Sequence, residues 1–215
     1  MNKSVTKMSV EFICEEASFF LEKIDKIDHI ITTLPDMSEM NVDDINEYKT
    51  FVKKIIELIL SKLQGYAIFI QTDRKYKGEW IDKGFLIQEE AQKYSVKLAF
   101  HKIGLHKPIG KKDLYRPTYY RMICYRRKNL SSYTNDIPDV IDFEGKDWNN
   151  GTPTAAVEHA TDFIKNHSLV GKENVVIDPF CGHGKIGFSC FKKGIDYIGI
   201  DIDDKRVKDC LKKLN

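Results

Sequence analysis

The sequence lacks long apolar runs, paired cysteines and an excess of either charge. The apolar stretch Ile55–Leu60 is interrupted by Glu57, so nothing approaches the ~20 residues that span a bilayer. The five cysteines (Cys14, Cys124, Cys181, Cys190 and Cys210) are odd in number and contain no Cys-x-x-Cys pair. That argues against a disulfide scaffold or a zinc ribbon and for reduced thiols in an intracellular protein, cytoplasmic or nuclear. The opening Met-Asn-Lys-Ser-Val-Thr-Lys leads into no signal-type apolar block. With 34 Lys+Arg against 32 Asp+Glu in 215 residues, the net charge is only +2. Apolar residues at 42% and charged residues at 31% describe an ordinary soluble globular chain, long enough for one domain over 1–215.

Strand and helix patterns alternate along the chain. Val10–Cys14, Asp28–Thr33, Tyr66–Gln71, Val96–His101, Tyr119–Tyr125, Asn174–Ile177 and Tyr197–Ile200 read as strands. Helical spacing follows Asp43 or Asp44, either of which can cap, through Ile45, Tyr48, Phe51, Val52, Ile55, Ile56, Ile59 and Leu63. Gly65 then stands where a helix end favours a left-handed residue. Further helices are expected at Ile87–Tyr94, Thr154–His167, Gly187–Lys193 and Lys205–Leu214, with a polar loop over 129–153. This alternation predicts an α/β fold, an open, doubly wound, mostly parallel sheet covered on both faces. It divides into 1–128, the loop 129–153, and 154–215.

The sharpest local signal is V-V-I-D-P-F-C-G-H-G-K-I-G, from Val175 to Gly187. A buried strand runs into Asp178, then a turn with Gly182 and Gly184, then a helix whose first N–H groups are unpaired. Gly182 to Gly187 fits Gly-x-Gly-x-x-Gly, a weak signal alone. Asp201 strengthens it, because it ends the next strand where a carboxylate can accept both ribose hydroxyl protons. Asp178 at the strand mouth would repel a pyrophosphate and attract an ammonium. An ammonium-bearing, phosphate-free nucleoside such as S-adenosylmethionine therefore suits the turn better than NAD. Only 28 residues follow Gly187, so the remaining strands of such a site are expected from the N-terminal half.

D-P-F-C-G-H-G followed by Y-I-G-I-D-I-D resembles motifs I and II of S-adenosylmethionine-dependent methyltransferases. The order of segments is similar to the circularly permuted β-type DNA amino-methyltransferases, with their N4 or N6 targets. V-E-F-I-C-E-E-A-S-F-F-L resembles their Gly-Asp-Ala segment, and I-I-T-T-L-P-D holds the slot of Asp-Pro-Pro-Tyr. A-F-H-K-I, Y-Y-R-M-I-C-Y and G-T-P-T-A-A-V-E-H-A resemble the later strands and the helix before the cofactor strand. The resemblance implies cofactor contacts from Glu16, Asp178, Pro179, Phe180, Gly182, Gly184, Asp201 and Ile202. It implies that Thr33, Pro35 and Asp36 face the acceptor.

Thr33-Leu34-Pro35-Asp36 departs from Asp-Pro-Pro-Tyr: the leading carboxylate and the stacking aromatic are both gone. Thr33 can still accept one hydrogen bond, and Asp36 can accept more or orient a hydroxyl or ring nitrogen. Asp36 can equally be a turn residue binding its own backbone; Ser38 and Glu39 follow closely. Eight basic residues (Lys107, Lys111, Lys112, Arg116, Arg121, Arg126, Arg127, Lys128) stand against the single acid Asp113, with Tyr115, Tyr119, Tyr120 and Tyr125 interleaved. Cations can hold phosphates while tyrosines stack on bases, which makes Arg116, Arg121 and Arg126 candidate substrate contacts and nucleic acid the expected partner. The alternative is a solvated strand whose long cations cover apolar neighbours.

His101 and His106 read as structural, Cys181 as a packing residue, and His183 as turned to cofactor or to water. Trp80 is a candidate for a mobile segment near the substrate, and Trp148 in the long loop is a candidate to fold over the cofactor. No metal site is indicated. The expected activity is methyl transfer from S-adenosylmethionine to a nucleic acid, RNA slightly before DNA. Methylation of a small molecule or protein, or a non-catalytic subunit of the same fold, stays open. A loop of about 25 residues cannot form its own core, so a homodimer or an accessory recognition subunit is expected to assist sequence reading.

Overall fold

The computed structural model describes residues 9–40, 42–114, 116–130, 137–143, 151–167 and 174–214. Its strands, in chain order, are β1 (Val10–Cys14), β2 (His29–Thr32), β3 (Tyr66–Gln71), β4 (Arg74–Tyr76), β5 (Glu79–Ile81), β6 (Val96–Leu105), β7 (Tyr119–Arg127), β8 (Val140–Ile141), β9 (Val176–Asp178) and β10 (Tyr197–Asp201). The helices are α1 (Ala17–Lys23), α2 (Ile45–Lys62), α3 (Lys83–Ala91), α4 (Thr154–Asn166), α5 (Lys185–Lys193) and α6 (Asp204–Leu214).

Eight strands form one sheet in the order β1-β10-β9-β2-β3-β7-β6-β8. From β1 to β3 every pair is parallel. β7 runs antiparallel to both β3 and β6, and β8 pairs parallel with β6. The late strand β9 lies between β10 and the early strand β2, with Ile177 opposite both Ile198 and Ile30. The expected dependence of the glycine-turn strand on the N-terminal half is therefore seen in the pairing itself.

A parallel sheet of this kind has to be covered on both faces, and every residue of β3 is buried. One core packs Leu21, Val52, Ile55, Ile56, Ile59 and Ile87 of α1, α2 and α3 against Ile30, Ala67 and Phe69. The other packs Ala160, Phe163, Ile186, Cys190 and Val207 of α4, α5 and α6 against Ile31, Ile68 and Ile70. The side-chain alternation of β2 and β3 distributes neighbouring residues between the two cores.

Asp44 caps α2, accepting from the backbone N–H of Asn46 at 2.6 Å and Glu47 at 3.0 Å. Gly65 is not the expected left-handed helix end, for α2 stops at an extended Leu63. Glycine is required there by crowding: a Cβ would lie 2.4 Å from the Asp28 carbonyl and 2.6 Å from the His29 ring. α3 begins four residues before Ile87, where the Asp82 carboxylate accepts from the Phe85 N–H at 2.7 Å. Gly84 in that first turn disguises the start. The β4–β5 hairpin also escapes sequence reading, since each strand has only three residues. Its turn is Lys77 and Gly78, both with positive φ. β6 continues to Leu105, and the stretch 129–153 contributes the short β8.

Four cysteines are buried, Cys14 is exposed, and all five are free thiols. Among the described residues no helix is long and apolar enough to cross a membrane, and no group of His, Cys, Asp and Glu is arranged to hold a metal ion.

Candidate cofactor and catalytic site

β1, β10, β9 and β2 are parallel, so their C-terminal ends share one rim. There β9 passes through Pro179–Gly184 into α5. The bend is pinned from several sides. Cys181 N–H donates to the Ile200 carbonyl at 2.8 Å, Gly184 N–H to the Cys181 carbonyl at 2.8 Å, and Gly182 N–H to Asp201 Oδ2 at 2.9 Å. Both glycines lie in the left-handed region, Gly182 at φ +52° and Gly184 at +74°. Their surroundings differ. A Cβ on Gly184 would meet Cys210 Sγ at 2.8 Å, whereas one on Gly182 would have nothing within 4 Å. Gly184 closes the bend onto the core; Gly182 opens it outward.

Asp201 lies beside that opening, 8% exposed. Oδ2 accepts from Gly182, and Oδ1 accepts from Asp203 N–H at 2.9 Å. A carboxylate has roughly four acceptor positions, so lone pairs remain for hydroxyl donors, with the Arg206 guanidinium 3.7 Å from Oδ2. Ile202 follows at 75% exposure, and Phe19 on α1 is 53% exposed. Cys14 Sγ contacts the Ile202 carbonyl at 3.7 Å, and Glu15 N–H donates to the Asp201 carbonyl at 3.1 Å. An open glycine face, a carboxylate with spare acceptors and an exposed branched side chain fit the nucleoside part of S-adenosylmethionine.

Other expected cofactor residues already have partners within the chain. Glu16 caps α1, accepting from Ser18 N–H and Phe19 N–H. Burial alone would raise its pKa, but the Ser18 and Phe19 hydrogen bonds outweigh it and hold the carboxyl below its ordinary range. Pro179 is buried, and Phe180 meets Phe51 of α2 edge-on with ring centres 6.2 Å apart. Asp178 is 1% exposed, accepting from Thr32 Oγ1 at 2.8 Å, Phe180 N–H at 3.2 Å and Tyr197 Oη at 3.4 Å. Burial pushes its carboxyl up to about 7 in spite of those bonds. It is a fastener between β2, β9 and the bend, which corrects the expectation of an ionised acid facing an ammonium. His183 is exposed. Cys181 is buried, and burial with nearby Asp178 and Asp201 keeps its thiol protonated, as suits a packing residue.

The catalytic segment leaves the sheet beside this bend. Thr33 Oγ1 lies 2.9 Å from Thr152 Oγ1 just before α4, and Lys185 at the start of α5 donates to the Thr152 carbonyl at 2.9 Å. Thr33 is thus brought to the glycine bend. Pro35 and Asp36 turn the other way. The Pro35 carbonyl accepts from Tyr48 Oη at 2.8 Å. Asp36 is bound by Lys83 and Arg74, each at 2.7 Å, with Arg116 at 3.9 Å. Burial works to raise the Asp36 pKa, but Lys83 and Arg74 prevail and hold it below the ordinary carboxylate value. Lys83, 2% exposed, also reaches the Leu34 carbonyl at 3.4 Å. An internal ammonium therefore occupies the carbonyl aligned with the first Pro of Asp-Pro-Pro-Tyr. Nothing in D-K-G-F around Lys83 marks it in advance; contact across 47 positions is a product of folding.

Two of the expected substrate arginines are spent elsewhere. Arg121 pairs with Asp73 at 2.8 Å and Asp82 at 2.7 Å. Arg126 donates to the carbonyls of Arg127 and Leu130, at the end of the sheet where β3 begins. Both corrections have one cause: burial of the strand makes each guanidinium find a partner inside the molecule. Tyr120 and Tyr125 are buried as well. Arg116 alone of the three lies at the rim. His106 donates to or accepts from Thr72 Oγ1 at 2.8 Å, and burial with neighbouring Arg116 and Lys107 depresses its pKa to about 4. Trp80 is half exposed on β5; Trp148 and Tyr115 lie outside the described residues. A groove of about 300 Å³ between α2 and α3, lined by Lys49, Lys53, Trp80 and Phe85 among others, shares no residue with the bend.

No known family profile and no curated protein matches the chain. Solved structures do. TTHA0409 of Thermus thermophilus, assigned as a DNA modification methylase and solved with S-adenosylmethionine, is 15% identical, with a TM-score of 0.71 over 94% of this chain and 92% of its own. M1.HpyAVI in complex with S-adenosylmethionine gives 0.62 at 15% identity over 94% and 98%. The cytosine-N4-specific PvuII DNA methyltransferase gives 0.71 at 13% identity over 98% and 90%. At these identities the likeness is one of fold, and the chain has the α/β fold of these DNA methyltransferases over nearly its whole length.

Proposed function

We propose that the protein binds S-adenosylmethionine in the Gly182–Asp201 cradle and transfers its methyl group to nucleic acid. The observation that carries this reading is the open face of Gly182 beside the spare acceptors of Asp201, with Thr33 at the neighbouring strand end. When bound, S-adenosylmethionine supplies an electrophilic methyl on sulfur. Asp201 would hold the ribose hydroxyls, Ile202 and Phe19 would cover the adenine, and Gly182 would let the backbone approach. Thr33, tied to Thr152, would position the acceptor. DNA is favoured as substrate because the structural neighbours are DNA methyltransferases; the preference for RNA finds no support among them. The protein would then work inside the cell, with a second copy or an accessory subunit supplying sequence recognition.

A second reading has its own observation. Lys83 on the Leu34 carbonyl and on Asp36, together with Tyr48 on the Pro35 carbonyl, puts an internal donor on every acceptor in that part of the segment. This favours a subunit that keeps the fold and binds cofactor for a partner's chemistry. Calorimetric titration with S-adenosylmethionine, followed by labelled methyl transfer to genomic DNA, total RNA and protein extract, separates the two. Binding with transfer to DNA is the expected result. Binding without any transfer supports the second reading, and no binding by the folded protein overturns both.

A further inference from the structure

We infer that the loop Leu105–Tyr119 is an apolar wedge that enters a nucleic-acid duplex beside the nucleotide extruded for methylation. The inference rests on the proposed nucleic-acid substrate and goes beyond it by naming the residues that open the duplex. β6 is parallel to β3 through the intervening β7, so the loop that leaves β6 rises from the same rim as the glycine bend. Arg116, on its returning limb, lies 3.9 Å from Asp36. The loop thus borders the catalytic segment directly.

Its build is firm. His106 N–H and Lys107 N–H both donate to the Thr118 carbonyl, at 2.7 and 3.2 Å, closing the neck. Lys107 pairs with Asp113 at 2.6 Å, and Arg116 N–H donates to Asp113 at 3.2 Å. At the tip, Lys111 N–H donates to the Pro108 carbonyl at 3.2 Å across Ile109 and Gly110, and Gly110 has φ +85°. Pro at the first position, hydrogen bond to the fourth residue and glycine with positive φ define a tight turn. Ile109 is held at its apex.

Ile109 is 88% exposed and Leu114 82% exposed, the highest values of any large apolar residue among the described ones. A turn favours polar residues at its tip, and exposing two branched side chains forgoes burial they would gain elsewhere. Lys111 and Lys112, both exposed, lie between them along the chain, with no carboxylate at ion-pair distance among the described residues. Two apolar points with cations between them are complementary to a duplex: the apolar side chains enter between base steps and the cations rest on the phosphates beside them. A base buried in a duplex has to be unstacked before it reaches an active site, and a wedge holds that gap open.

The test uses the full chain and labelled methyl transfer to sheared genomic DNA, native and heat-denatured. For Ile109→Ala combined with Leu114→Ala, transfer to native DNA is expected to fall at least ten-fold more than transfer to denatured DNA. For Lys111→Ala with Lys112→Ala, the slope of log affinity against log salt should flatten by about two. Equal losses on native and denatured DNA overturn the wedge while leaving the proposed activity standing. So does a double apolar variant whose only change is lost binding to vesicles of anionic phospholipid, or a shift from dimer to monomer. If the unaltered protein transfers methyl to no nucleic acid, the proposed function fails first, and the wedge with it.

Discussion

Asp178→Asn should stabilise the protein increasingly as pH rises. The Asp178 carboxyl is buried beneath the glycine bend and carries its proton up to about pH 7, against 3.8 for the group in water. Between those values the native state holds a proton that the unfolded chain has released. Unfolding free energy therefore falls with rising pH across that window and stays reduced above it. At ~1.4 kcal/mol per pH unit, the penalty reaches about 4 kcal/mol by pH 8. Asparagine keeps an oxygen for the Thr32 hydroxyl and the Phe180 N–H, and its amide can meet Tyr197 Oη. It has no proton to lose. Urea unfolding of both proteins at about pH 5, 6, 7 and 8 reads the difference directly. The variant's advantage should grow across the series, steeply up to pH 7 and then level off. Parallel curves would refute the reasoning, because they would mean the Asp178 carboxyl ionises as readily inside the sheet as outside it.

Three further outcomes are expected. His29 is buried with Nδ1 accepting from Tyr66 N–H at 3.2 Å and Nε2 against Asn174 Oδ1 at 3.1 Å, so it is neutral with its proton on Nε2. Burial lowers its pKa further than Asn174 and Asp28 raise it; stability is full above about pH 6.5 and declines below it until the depressed native pKa is reached, a limb that His29→Gln should lack in urea unfolding. Lys83→Met should cost about 2 kcal/mol in the same measurement, less than loss of an isolated buried pair because Arg74 stays on Asp36. Combined with Asp36→Asn it should show non-additivity of about 1 kcal/mol or more. Gly184→Ala meets Cys210 and Phe12 as well as an unfavourable φ and should lose at least ~2 kcal/mol in thermal or urea unfolding. Gly182→Ala, with open space, should lose only about 1 kcal/mol yet weaken S-adenosylmethionine binding at least ten-fold by calorimetry.

The sequence exposes what depends on local pattern. Periodic apolar residues place β3 and α2 nearly to the residue, and the cap is narrowed to Asp43 or Asp44 because a capping side chain acts on the next turn; the structure selects Asp44. The glycine bend is legible for the same reason: Gly182, Gly184 and Asp201 each do something that their own residue type dictates. What escapes is set by partners far along the chain. Gly65 looks like a helix terminator until His29, a neighbour only in space, is seen to forbid a Cβ. Arg121 and Arg126 look like free cations because Asp73, Asp82 and the Leu130 carbonyl are brought to them by the sheet. Charge runs count side chains without their counter-charges, and here folding gives Arg121, Arg126 and the loop's Lys107 internal partners while Lys111 and Lys112 have no carboxylate at ion-pair distance among the described residues.

The geometry of Thr33–Asp36 also limits what reaction the proposed site can assist. A general base needs a pKa near working pH and an open lone pair. Asp36 lacks the first, since Lys83 and Arg74 hold its pKa down, and each of its oxygens is already paired with one of these cations. Thr33 is no base at neutral pH. Asp178, with a pKa near 7, is sealed under the bend and hydrogen-bonded on all sides within the protein. On the proposed reading, no side chain of this segment is placed to deprotonate an acceptor before it attacks. The acceptor must be nucleophilic enough to attack before it loses a proton, as a nitrogen can be and a neutral hydroxyl is not. The protein's contribution is then alignment, which makes the Thr33–Thr152 contact the one to disturb: Thr33→Val should lower the rate of transfer while S-adenosylmethionine affinity stays within about two-fold. An equal fall in affinity would mean that Thr33 supports the cradle and has no part in placing the acceptor.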